Sequence, residues 1–139
     1  MKSGELALKC HRAELTHDTE FLGKMSPYLE VTCGEQKLQT ACRRKAGKKP
    51  DWNSEILLFQ LVGAREMTLK VLDYEPTGNH DLVGEAVINC ADLPNGTLDD
   101  QITIDFKGKS AGTVFLTFEF TPQSKTMASM GQAMHNMVP

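Results

Sequence analysis

Apolar and polar residues alternate along most of this chain, in short runs separated by turn residues. Leu6, Leu8 and Cys10 are interleaved with Ala7 and Lys9, and Leu29, Val31 and Cys33 with Glu30 and Thr32. Leu38, Thr40 and Cys42 follow the Gly34–Glu35 turn, and Leu69 and Val71 alternate with Thr68 and Lys70. Val83 to Ile88, Ile102 to Phe106 and Thr113 to Phe120 complete the series. Successive side chains of a strand point to opposite faces, so a period of two predicts strands that each bury one row. Ile56 to Leu61 is an apolar run, which fits a strand buried on both faces or one carrying a bulge. The pattern predicts eight strands and no internal helix. Short, regularly spaced strands with polar turns imply an all-β sandwich of two sheets or a barrel.

Alternating strand directions would gather every second connection at one end. These are roughly Ala13–Ser26, Arg43–Asn53, Asp73–Asp81 and Lys107–Ala111, which include the longest connections in the chain. Long loops on a rigid scaffold are where binding function concentrates. The last stretch, 122–139, leaves the strand pattern. Its Met127, Met130, Met134 and Met137 recur at helical spacing, which fits either a short amphipathic helix or a disordered tail. A Met-rich face suits adaptable protein contacts, so the tail is a candidate second contact for a protein partner.

The 139 residues suit one domain, and no apolar run approaches the roughly 20 residues needed to span a bilayer. Met1 to Leu8 lacks the apolar stretch of a secretion signal. Cys10, Cys33, Cys42 and Cys90 form no CxxC pair and fall in the strands, so they are expected as buried, reduced thiols in a cytoplasmic protein. Net charge is only −3, so distribution matters more than the sum. Six of the fifteen basic residues fall between Lys37 and Lys49. There is no Gly-rich phosphate loop, no GxSxG elbow and no HExxH, so the chain is expected not to be an enzyme. The basic stretch lacks interleaved aromatics, which argues against nucleic acid.

Four segments carry a resemblance. Gly23-Lys24-Met25-Ser26-Pro27-Tyr28-Leu29-Glu30-Val31 resembles the GKSDPYVEV-type signature of C2 domains, and Lys49-Pro50-Asp51-Trp52-Asn53 resembles their NPxWNE segment. Leu69 to Glu75 resembles the L-x-V-x-D-x-D strand end, and Asp81-Leu82-Val83-Gly84 the opening of the strand that follows it. The run Asp18-Thr19-Glu20-Phe21-Leu22-Gly23-Lys24-Met25-Ser26-Pro27-Tyr28 is similar to that of small single-domain C2 proteins of the plant elicitor-responsive type. The resemblance implies an eight-stranded antiparallel β-sandwich of phospholipase-C-like type II topology over residues 1–121.

It also implies a calcium site at Glu20, Ser26, Asp73, Glu75 and Asp81. Ser26 stands where the family has a bridging aspartate, and a neutral hydroxyl is a weaker ligand for calcium. Asp18 lies close enough in sequence to be a substitute. In this fold Arg43, Arg44, Lys45, Lys48 and Lys49 lie on a loop beside the calcium loops, with Lys107 and Lys109 at the same end. Phe21, Leu22 and Met25 become candidates for insertion at a lipid surface. The expected function is a monomeric, peripheral membrane-binding module that docks on acidic phospholipid, with Ca2+ as a candidate cofactor. The alternative is a calcium-independent protein-interaction module.

Overall fold

The computed structural model describes residues 1–20 and 23–124. Its strands are β1 (Lys2–Leu15), β2 (Pro27–Cys33), β3 (Gln36–Gln39), β4 (Asp51–Ala64), β5 (Glu66–Asp73), β6 (Asp81–Asn89), β7 (Gly96–Phe106) and β8 (Lys109–Pro122). A single 3-10 turn, Cys90–Asp92, follows β6. The strands form one antiparallel sheet in the order β3-β2-β5-β6-β7-β8-β1-β4. β6 and β7 share a single register pair, Glu85 with Asp105. The sheet folds there into two four-stranded layers, β4-β1-β8-β7 and β3-β2-β5-β6.

The alternating rows meet between these layers. Leu6, Leu8, Leu116 and Phe118 come from one layer, and Leu29, Val31, Leu69 and Val71 from the other, all essentially inaccessible. Trp52, also inaccessible, opens β4 and donates its indole N–H to the Pro27 carbonyl at 3.3 Å. Gly84 is required by packing. A Cβ there would lie 2.8 Å from that of Ala111 and 3.0 Å from Ile104 Cδ1.

Two expectations change. β3 ends at Gln39, so Thr40 and Cys42 lie outside it. The Thr40 hydroxyl accepts from the Leu29 N–H at 3.0 Å, which turns the chain out of the ladder. β4 is not buried on both faces, because the other layer packs against only one face of the sheet it belongs to. Its burial alternates, with Leu57, Phe59 and Leu61 inside and Ile56 and Leu58 exposed. All neighbouring strands are antiparallel, so connections 16–26, 40–50, 74–80 and 107–108 share one end, as the alternation of directions requires. The Met-spaced part of the tail lies outside the described residues. No described helix is long and apolar enough to cross a membrane.

Candidate calcium and membrane-binding loops

Asp73 ends β5 opposite Pro27, where both loops close over it and leave it inaccessible to solvent. Two donors hold its carboxylate. The Ser26 N–H reaches Oδ1 at 2.7 Å and the Thr19 hydroxyl reaches Oδ2 at 2.8 Å. The Tyr74 N–H donates to the Ser26 carbonyl at 3.0 Å, so the 16–26 and 74–80 loops are fastened together at their roots. Glu75 lies two residues beyond Asp73, and its N–H donates to His80 Nδ1 at 2.9 Å.

This arrangement brings Glu20, Asp73 and Glu75 together, with one carboxylate oxygen of each within 4.8 Å of the others. The Glu20 carboxyl is pushed up to about 7. The main cause is a proton shared with Asp73 and then with Glu75; partial desolvation and the charge of both neighbours add to it. Oxygens that ligate calcium at about 2.3–2.6 Å lie up to about 5 Å from one another, so the three carboxylates fit a single such ion. The Ser26 N–H and the Thr19 hydroxyl each use one lone pair of an Asp73 oxygen, and loss of the proton shared with Glu20 would leave the second ones for an ion.

The other acidic and hydroxyl candidates are placed differently. Ser26 contributes its backbone to the site, while its hydroxyl accepts from the Lys45 N–H at 3.0 Å. Asp81 faces Asp73 across the ladder but is exposed and outside the three-carboxylate group. Asp18 is occupied locally, accepting from the Glu20 N–H at 3.0 Å. Thr19 and His80 are contributors that sequence reasoning missed. Thr19 sat inside the matched Asp18-Thr19-Glu20 run without any sign of its partner. His80 is half-buried and stacks on Tyr74 at 4.9 Å.

The basic loop packs against the first loop. The Gly47 N–H donates to the Met25 carbonyl at 3.0 Å and the Arg43 N–H to the Pro27 carbonyl at 2.9 Å. Lys45 has left-handed backbone (φ 54°), which lets its N–H reach Ser26. Arg44, Lys45, Lys48 and Lys49 are exposed. Arg43 is half-buried, and its guanidinium donates to the Trp52 carbonyl at 3.3 Å, so it braces the loop root. Lys107 and Lys109 are exposed on the β7–β8 hairpin, whose Phe106 stacks on His17 of the first loop at 4.2 Å. Met25 is not a lipid-facing residue. It is wholly inaccessible and belongs to the core, because the loop folds back over it. Phe21 and Leu22 lie outside the described residues.

Comparison with known proteins places the fold and the family. The C2 domain family model matches residues 4–104. The chain is 34% identical over 77 residues to elicitor-responsive protein 1 of Oryza sativa subsp. japonica, covering 52% of this chain and 48% of that protein. It is 31% identical over 88 residues to 16 kDa phloem protein 2 of Arabidopsis thaliana, covering 63% of this chain and 60% of that protein. The chain thus spans about half to three-fifths of the length of these curated relatives. Among solved structures, a C2 domain of a plant extended synaptotagmin 1 superposes with a TM-score of 0.77 over 90% of this chain and 99% of that one, at 18% identity. A C2 domain-containing protein from a putative elicitor-responsive gene gives 0.75 over 89% and 93%, at 24% identity. With its loop end, its two-layer sheet and a family match over most of its length, the chain belongs to the C2 domain family.

Proposed function

We propose that this chain docks on acidic phospholipid through its loop end, and that calcium bound by Glu20, Asp73 and Glu75 strengthens the docking. The observation that carries the reading is the convergence of three carboxylates beside a loop of exposed cations. A divalent ion relieves the crowding of the carboxylates and turns an anionic pocket into one that attracts phosphate. Arg44, Lys45, Lys48 and Lys49 add attraction of about 1 kcal/mol each near an anionic surface. C2 domains are in general binding modules rather than catalysts, and no step of covalent chemistry is part of this reading.

The departures from the family pattern set its limits. Ser26 offers calcium no charge, and its hydroxyl is engaged with Lys45. Asp81 stands apart from the cluster, so the site holds one ion with three carboxylates rather than the larger set a five-acid site would hold. The test is vesicle sedimentation with phosphatidylserine, in calcium and in chelator, alongside calorimetric calcium titration. One bound ion with calcium-enhanced sedimentation is the expected result. Failure to sediment in either condition would sink the reading. Sedimentation equal in both would leave the basic loop as the whole binding surface.

A further inference from the structure

Five asparagines occur in the chain, and one of them, Asn95, precedes a glycine. Asn95 is exposed in the bend between the 3-10 turn and β7, and Gly96 is the first residue of β7. The carboxamide carbon of an asparagine is an electrophile, and the backbone nitrogen of the next residue can reach it to close a five-membered imide. Three things resist this closure: a Cβ on the next residue, hydrogen bonds that hold the carboxamide, and a backbone fixed on both sides. Gly96 removes the first. Its φ of 90° is open to glycine at no steric cost, and a Cβ built there would meet no atom within 4 Å. No described group bonds the Asn95 carboxamide. Gly96–Phe120 is the last pair of the β7–β8 ladder, and β6 meets β7 only at Glu85–Asp105, so Gly96 has one neighbouring strand. A terminal pair on such a strand opens at low cost.

The other described asparagines lack this combination. Asn89 caps the 3-10 turn, its Oδ1 accepting from the Ala91 N–H at 3.0 Å. The Cys90 nitrogen that would attack Asn89 is itself tied, donating to the Arg65 carbonyl at 2.9 Å. Asn53 precedes Ser54 and Asn79 precedes His80, so a Cβ crowds the attacking nitrogen of each.

We infer that Asn95–Gly96 is a site of self-modification, at which the folded chain turns its own asparagine into isoaspartate and aspartate. The Gly96 nitrogen attacks Asn95 Cγ and gives its proton to water, and the Asn95 amide nitrogen leaves as ammonia. Water then opens the cyclic imide. Cleavage of the new Cγ–N bond leaves aspartate. Cleavage at the main-chain carbonyl leaves Gly96 joined through Cγ, which is isoaspartate: the main chain gains a methylene and the old carbonyl becomes a free α-carboxylate. One water is consumed and one ammonia released, with no oxidant, metal or cofactor. The isoaspartyl carboxylate, exposed on a bend, is in turn a methyl acceptor for a carboxyl methyltransferase that uses S-adenosylmethionine. The added carboxylate joins Asp92, Asp99 and Asp100, all exposed. Buried Leu93 and half-buried Leu98 flank the site, so the longer main chain of isoaspartate strains their seating in the core, whereas aspartate does not. β7 runs from Gly96 to the 107–108 hairpin, so the site lies at the pole opposite the docking loops and the inference is independent of the membrane reading.

The test is incubation of the full, folded chain in mildly alkaline buffer, followed by peptide mass spectrometry and by methylation with an isoaspartyl methyltransferase and labelled S-adenosylmethionine. The peptide carrying Asn95 should gain about 1 Da and resolve into two isomers, with methyl acceptance rising in step. Asn53, Asn79 and Asn89 should change about tenfold more slowly or less. Asn95→Gln, an exposed change that keeps the amide but requires a larger ring, should abolish both signals. No mass gain at Asn95 in the folded chain, under conditions where the urea-unfolded chain shows it, would overturn the inference. So would conversion of the other asparagines at the same rate, or methyl acceptance that survives Asn95→Gln.

Discussion

Asp73 links the fold to the site, and replacing it separates its structural part from its ionic part. Asp73→Ala removes two hydrogen bonds to a buried carboxylate, from the Ser26 N–H at 2.7 Å and the Thr19 hydroxyl at 2.8 Å. Each bond to a charged acceptor contributes about 1.5–3 kcal/mol. Two opposing effects reduce the sum. Ser26 and Thr19 are half-buried, so water can reach the released donors, and the change removes a charge that crowds Glu20 and Glu75. The net cost expected is about 2–4 kcal/mol. Asp73→Asn keeps an oxygen for the Ser26 N–H, and the Thr19 hydroxyl can rotate to accept from the new amide, so it should cost only about 1 kcal/mol. For a domain of this size each kcal/mol corresponds to roughly 3–5 °C in Tm. Thermal unfolding followed by circular dichroism in chelator should rank wild type above Asp73→Asn above Asp73→Ala, the last lower by about 10 °C. Both variants should lose calcium binding. If neither moves Tm by more than about 2 °C, the hydrogen bonds at Asp73 do not hold the loops together and the reasoning fails.

Three further outcomes follow from the same geometry. The Glu20 carboxyl is raised to about 7 in the folded state, so the native chain binds more protons than the unfolded one between the ordinary carboxylate range and neutrality. Calcium-free stability should fall as pH rises from about 4.5 through 7, and Glu20→Gln should flatten that slope in urea titrations. Trp52→Phe removes an inaccessible ring and the 3.3 Å bond to the Pro27 carbonyl, and should cost about 2–3 kcal/mol by chemical denaturation. Gly84→Ala forces a methyl to within 2.8 Å of Ala111 and should cost about 1–3 kcal/mol, with Ala111→Gly restoring part of it.

The pattern of apolar positions was enough for the number of strands, for the burial rows of β1, β2, β5 and β8, and for the end at which the long loops gather. These are local properties. Alternation fixes which face is inside, and antiparallel succession fixes where the connections lie. The family resemblance, through the Asp18–Tyr28 run and the Leu69–Glu75 segment, also put Glu20, Asp73 and Glu75 among its five candidate ligands before any geometry was known. The sequence could not tell which acids meet. Asp73 and Asp81 look alike in the chain, yet one is sealed by Thr19 and Ser26 and the other stands outside the cluster. Nor could it separate Met25, which the loop folds into the core, from residues that face outward. The Ile56–Leu61 run shows the same limit. Its composition reads as a strand buried on both faces or one carrying a bulge, and only the packing of the layers puts Ile56 and Leu58 on the solvent side. Residue type and spacing set what each strand prefers to bury. Whether a given neighbour arrives to bury it depends on contacts between distant parts of the chain, such as Thr19 with Asp73 or Gln36 with Gln60, which tertiary structure alone decides.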